Sequence, residues 1–385
     1  MSYNTELSPP RRAMIYTVAC EIAGVLPELS GDVGAEEIFS AAREFGMGAL
    51  VASALNKLGL ATDGMRAYLG ASIRRSILMD NERARISVLL SERGIRHVFL
   101  KGALLKTMYP SVGLREMSDF DVLFDQSARL SVRDIMSSAG YTVAEYGSGC
   151  HDVYTKPPVY NFEMHVSLFN SLESDVFANH FESALNKSLS EDGTSECKFS
   201  PEDSYVYIRA HEYKHYSTGG TGIRSLLDTY IYLGALGKKL DFDYINRELS
   251  AIGIRDYAES SATLASKLFS PSFARELYLG TLSLSSDEAD MLSYYMGSGL
   301  YGNMENKVSN TIARDGGRGA KFRYIMFRLF PPIEWYRVNA PFYYKHRILI
   351  PFFVVKRVIV SLFTSPKRSI NEINILMKSE GKDKK

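Results

Sequence analysis

In Ser118-Asp119-Phe120-Asp121-Val122-Leu123-Phe124, two carboxylates one residue apart interrupt an apolar run. Side chains on a strand alternate between faces, so Asp119 and Asp121 would leave one side while Phe120 and Val122 enter a core. Carboxylates held side by side repel and raise each other's pKa unless a cation neutralises them. Replacing either by Asn is therefore expected to leave stability equal or slightly raised. Hard divalent cations such as Mg²⁺ take oxygen ligands of this kind and commonly complete their shell with substrate phosphates. The pair reads as a metal site for phosphate chemistry, although Asp-x-Asp also occurs in turns and on solvated edges.

The neighbouring elements must position those acids. Ile95-Arg96-His97-Val98-Phe99-Leu100 is strand-like and ends in Lys101-Gly102, with a helix-like run over 103–109. Downstream, Tyr160-Asn161-Phe162-Glu163-Met164-His165-Val166 alternates again and offers a third carboxylate, Glu163, for metal or for a strand-edge ion pair. An unpaired ammonium at the end of a buried strand is costly, so Lys101 either meets a phosphate or pairs with Asp119 or Asp121. Arg115, in Gly113-Leu114-Arg115, either grips a phosphate bidentately or partners a neighbouring carboxylate. His165 shares a face with Glu163 and either approaches the metal and acceptor or is a satisfied core histidine. His97, mid-strand, reads as structural.

His211 and His215 are four apart, hence neighbours on one helix face. With Glu212 they spell His-Glu-x-x-His, the zinc metalloprotease pattern. A protease site needs a third protein ligand. The next histidine is His346 and the next glutamate Glu248. The favoured reading puts both histidines in a cleft, contacting nucleotide or acceptor, with Asp228 on the next helix orienting one of them.

These motifs together resemble the nucleotidyltransferase superfamily, the fold of DNA polymerase β and of small antibiotic-modifying nucleotidyltransferases. The stretch from Phe99-Leu100-Lys101-Gly102 through Tyr109-Pro110, Gly113-Leu114-Arg115 and Met117-Ser118-Asp119-Phe120-Asp121 resembles, more closely, a bacterial family known only as uncharacterised nucleotidyltransferases. The resemblance continues in Phe162-Glu163-Met164-His165, in His211-Glu212-Tyr213-Lys214-His215 and in Arg224-Ser225-Leu226-Leu227-Asp228. It extends to Phe330-Pro331-Pro332 and Tyr343-Tyr344-Lys345-His346-Arg347. The superfamily's usual Gly-Ser or Gly-Gly turn is replaced here by Lys101-Gly102, with a longer spacing to the acids. Glycine-turn N–H groups at a helix start can still bind phosphate oxygens, and Lys101 stands as an alternative source of charge.

The resemblance implies an Mg²⁺-dependent (or Mn²⁺-dependent) enzyme that moves a nucleoside monophosphate from an NTP to an acceptor hydroxyl or phosphate. Asp119, Asp121 and Glu163 would be catalytic metal ligands. Lys101, Gly102, Arg115, His165, His211, His215 and Asp228 would meet substrate. Two further readings stay open: a silent member that binds nucleotide or a partner, and a same-fold enzyme that transfers a sugar from a nucleotide-sugar. Retention of three acids argues against the silent form, because buried carboxylates without a cation are costly.

The pattern predicts an α+β fold: a mixed-sheet nucleotidyltransferase core with N-terminal helices and a helical C-terminal domain. Residues 35–58 and 70–94 carry helical spacing, and Gly94 is a natural stop. Strands follow at 95–100, 118–124, 141–146, 152–156 and 160–166, with helices at 103–109 and 128–139. Past Glu173 helices dominate; Ser200-Pro201-Glu202-Asp203 is a helix start. The expected parts are an N-terminal helical segment (1–94), the core (95–172), a helical domain closing the cleft (173–340) and a basic amphipathic segment with a disordered tail (341–385).

The chain has 385 residues, a net charge of +1 and 23% charged residues, so its balance carries no nucleic-acid signal. Cys20, Cys150 and Cys197 are odd in number and lack a metal-ligand pattern, which favours reduced thiols in a cytoplasmic protein. The polar start carries no signal-peptide core. Lys356-Arg357 splits an apolar run near the end, so no span of about twenty apolar residues forms. Residues 341–365 instead read as a helix that packs on the protein or touches an anionic membrane surface.

Overall fold

The computed structural model describes residues 7–147, 149–171, 174–190, 194–300, 302–315 and 319–364, with 372 and 374–376. The tail expected to be disordered, 378–385, lies outside these residues. Before the sheet come α1 (Pro9–Ala23), α2 (Ala35–Glu44), α3 (Gly48–Lys57) and α4 (Asp63–Ser91). The helical spacing over 35–58 is thus two helices, broken at Phe45–Met47. The sheet strands are β1 (His97–Phe99), β2 (Phe120–Phe124), β3 (Thr142–Glu145), β4 (His151–Lys156) and β5 (Tyr160–His165). α5 (Lys101–Leu105) follows β1 and α6 (Arg129–Ser138) follows β2. Then come α7 (Asp175–Phe181), α8 (Ala184–Lys187), a small hairpin of Leu189–Ser190 with Cys197–Lys198, α9 (Pro201–Tyr216), α10 (Arg224–Leu236), α11 (Phe242–Ala251) and α12 (Arg255–Phe269). The expected cap of α9 is made: Asp203 N donates to Ser200 Oγ at 2.9 Å.

The strand order is β1-β2-β5-β4-β3. Only β2 and β5 run parallel; every other neighbouring pair is antiparallel. Parallel neighbours need a crossover, and here α6, β3 and β4 supply it. This is the expected α+β architecture.

Helices cover both faces of the sheet. Phe120, Val122 and Phe124 share one core with Tyr154, Phe162 and Met164, closed by Met79, Ile86 and Leu90 of α4 and Val132 and Met136 of α6. On the opposite face, Val98, Leu100 and Leu123 pack with Tyr205, Val206, Tyr207, Ile208 and Ala210 of α9 and with Ile245 and Leu249 of α11. Double burial explains the nearly continuous apolar reading of β2. Each large apolar side chain fully buried there contributes about 1.5–3 kcal/mol. The apolar alternates therefore hold the strand against its two neighbouring helical layers.

The loop between α5 and β2 rests on α4. Gly113 has φ 85°, and a Cβ there would lie 2.7 Å from the Ile73 Cα. Ser72 Oγ also donates to Gly113 O at 2.6 Å. A left-handed backbone and a backbone clash both oppose a side chain, so Gly113→Ala should cost about 2–4 kcal/mol. Denaturant unfolding would register this; an unchanged midpoint would show that the loop does not rest on α4.

The chain divides into two compact units, Met1–Tyr213 with Gly222–Leu300, and Lys214–Thr221 with Tyr301–Lys385. Within the second, Asn310 Nδ2 donates to Thr218 O at 2.8 Å. There the Phe353 ring meets Trp335, Tyr336 and Tyr343. No helix among the described residues is long and apolar enough to cross a membrane.

Candidate functional site

Parity and register build the site. Phe162 and Met164 of β5 enter the α4/α6 core, so Glu163 and His165 face the other way. The same alternation sends Asp121 of β2 and His151 of β4 to that second face. Register sets Asp121 opposite Glu163 and His151 opposite His165, which makes the four side chains neighbours across three strands. The expectation that Asp119 stands on the strand needs correcting: β2 begins at Phe120, and Asp119 ends the preceding loop.

His165 Nε2 lies 3.1 Å from Asp121 Oδ1 and 3.8 Å from Glu163 Oε2. His151 Nε2 is 3.7 Å from the same Glu163 oxygen. Lys101, at the start of α5, places Nζ 3.8 Å from Asp121 Oδ2 and 2.9 Å from His211 Nε2 on α9. Burial alone would raise the pKa of Asp121, but Lys101 and the hydrogen bond from His165 hold it well below the usual carboxylate range. Asp119 and Glu163 go the other way, pushed up by burial and then by Asp121. Burial pulls Lys101 down against the attraction of Asp121. It also opposes charge on His165, yet the hydrogen bond to Asp121 wins and that pKa is pushed up to about 9.

Asp121, Glu163 and His165 each offer a donor atom, all within 4.8 Å of one another. Asp119 is not in that group, but it is close enough for Asp121, Lys101 and Arg115 to influence its charge. Two acids whose charge is disfavoured, beside a third, fit a divalent cation, because a cation would relieve both.

The remaining predicted residues separate. Arg115 Nε and Nη2 each donate to Asp228 at 2.9 Å, and Tyr109 Oη donates to it at 2.7 Å. Asp228 thus takes up Arg115 and Tyr109, where the sequence suggested that it orients a histidine. Gly102 leaves room beside this pair: a Cβ there would sit 2.9 Å from Met117 Cε and 3.3 Å from Arg115 Nη1. The Glu212 carboxylate is buried and taken by Arg209, Tyr257 and Tyr295, which accounts for the middle residue of the His-Glu-x-x-His match. His211 belongs to the first compact unit and His215 to the second. His97 is buried and bonded to Ser87 and to the Ile95 carbonyl, a structural role.

Sequence reasoning missed His151 and Cys150. The available signal was the alternation of His151 and Val153 against Asp152 and Tyr154. What made it informative, pairing with β5, is not local. Cys150 Sγ lies 3.7 Å from His151 Nδ1, so one cysteine read as lacking ligand partners does have imidazoles beside it.

The mixed sheet, its acid-bearing parallel pair and the lysine-headed helix behind β1 define a protein of the nucleotidyltransferase fold. The chain belongs to a family of uncharacterised nucleotidyltransferases, which matches residues 31–270, more than half of its length. The similar motifs read at 330–332 and 343–347 lie beyond the matched residues. No curated protein and no solved structure matches the chain.

Proposed function

We propose that the chain transfers a nucleoside monophosphate from an NTP to an acceptor hydroxyl or phosphate oxygen. The pairing of Asp121 with Glu163 on one sheet face, with Lys101 within ion-pair distance, supports this reading most. Asp119, Asp121 and Glu163 would hold Mg²⁺ or Mn²⁺, which would supply positive charge to the donor phosphates and to the leaving pyrophosphate. Lys101 is aimed by His211 and Asp121 and would take a phosphate oxygen. His165 donates to Asp121 and fixes its orientation. Arg115, held on one edge by Asp228, sets Nη1 beside the Gly102 backbone and would offer it to a second phosphate oxygen.

Incubation with each labelled NTP and Mg²⁺ or Mn²⁺, with and without cell extract, tests this. Label should move as nucleoside monophosphate with release of pyrophosphate. Binding without pyrophosphate release, or sugar transfer from a nucleotide-sugar instead, would overturn it.

A membrane-surface contact has its own observation. Ile348, Phe352 and Phe363 are 85%, 71% and 84% exposed, on a segment carrying Arg347, Lys356 and Arg357. Apolar tips among cations suit peripheral docking on an anionic bilayer. The protein should co-sediment with phosphatidylserine-containing vesicles and be released by salt; failure to sediment at low salt would rule this out.

A further inference from the structure

We propose that Cys150, His151 and His165 form a second metal site, for a thiophilic divalent ion of the Zn²⁺ class, distinct from the acid site that Mg²⁺ would use. Each residue offers one donor atom, and all three lie within 4.8 Å of one another. Tetrahedral zinc holds thiolate and imidazole donors about 3.3–3.7 Å apart, given its bond lengths. Cys150 Sγ and His151 Nδ1, at 3.7 Å, already have that spacing.

The second observation is on the histidines themselves. His165 Nε2 faces Asp121, while its buried Nδ1 is left to the Cys150 side without a hydrogen bond of ordinary geometry. A buried imidazole nitrogen so weakly satisfied is costly unless something better occupies it. His151 has the same polarity: Nδ1 toward the sulfur, and Nε2 toward Glu163 at 3.7 Å. Both rings thus set one nitrogen against a carboxylate and leave the other for the sulfur side. Metal-bound histidines commonly donate their second N–H to a carboxylate in this way, which fixes the tautomer and raises ligand basicity.

Three protein ligands leave a fourth position open. Sulfur and imidazole select Zn²⁺-class ions, whereas carboxylates suit Mg²⁺ and Mn²⁺. The two sites are joined through the His165–Asp121 hydrogen bond. Binding deprotonates the Cys150 thiol, whose proton leaves to solvent as the sulfur–metal bond forms; no redox change is involved.

Co²⁺ serves as the probe on the full-length, metal-stripped protein, read by absorbance. One equivalent should give thiolate-to-cobalt charge transfer and the intense visible bands of four-coordinate cobalt, both persisting in excess Mg²⁺. Cys150→Ser should abolish the charge-transfer band, and it and His151→Ala should each weaken Co²⁺ binding about 100-fold or more. Both positions are half-buried at the end of a strand, so these variants should fold, and circular dichroism checks that. Asp119→Asn should keep the charge-transfer band while losing nucleotidyl transfer, so failure of this proposal and failure of the transfer reading are distinguishable. Cobalt bound without a thiolate band, or displaced entirely by Mg²⁺ and indifferent to Cys150→Ser, would overturn the site.

Discussion

Asp121→Asn should lower nucleotidyl transfer on the order of 10³-fold or more, because it removes the acid at the centre of the proposed metal site. Pyrophosphate release measures this, and equal turnover by an Asp119→Asn/Asp121→Asn double variant at saturating Mg²⁺ would rule the metal role out. The two acids should part company in stability. Lys101 and His165 hold the Asp121 pKa low despite burial, so its ionised form is favoured in the folded state. That contribution is present above the unfolded carboxylate value of about 3.9 and is lost as pH falls toward the folded pKa. Asp121→Asn should therefore destabilise the protein at neutral pH and converge with wild type in acid. Asp119 has a raised pKa, so its ionised form is disfavoured by folding, and stability gains as pH falls through that pKa. Only Asp119→Asn should leave neutral-pH stability equal or slightly higher, which limits the repulsion expected from the sequence to one of the pair. Equal unfolding midpoints for both variants at pH 7 would refute this asymmetry.

Whatever depended on local periodicity was legible in the sequence. The alternation Phe120, Asp121, Val122 and Phe162, Glu163, Met164 placed the acids opposite a core, and that core is where the aromatics lie. Ser200 announced the start of α9 because an N-cap needs only its own first turn. Partnerships set by the fold were not legible. Glu212 meets Tyr257 and Tyr295, 45 and 83 residues away, so a helical His-Glu-x-x-His carried no sign that its carboxylate was already bound. His151 joins the site only because β4 pairs with β5 in one register; a one-residue slip would turn it to the other face. The position of Asp119 just outside β2 reflects where β2 stops pairing with β5, which the side-chain pattern does not encode.

Asp228→Ala should lower folding stability by about 3–5 kcal/mol, because it strands a buried guanidinium. Arg115 is 8% exposed and Asp228 7%, and Tyr109 Oη donates to the same carboxylate. Arg115 and its hydrogen bonds outweigh burial and keep the Asp228 pKa below its ordinary value. Its contribution is therefore intact at neutral pH and falls away only in acid. Asp228→Asn retains an acceptor oxygen and should cost less, about 1–3 kcal/mol. Arg115→Met with Asp228→Leu should recover part of the loss, since a missing pair is cheaper than an unpaired charge. A substrate-contacting Asp228 predicts the opposite pattern: a wild-type unfolding midpoint, weakened nucleotide use, and no rescue in the double variant. Because the separation of Arg115 and Asp228 in sequence is 113 residues, the pair ties the loop before β2 to α10. Its loss should also loosen Arg115 Nη1 beside Gly102, so any fall in transfer by Asp228→Asn should appear in KM for the NTP before kcat.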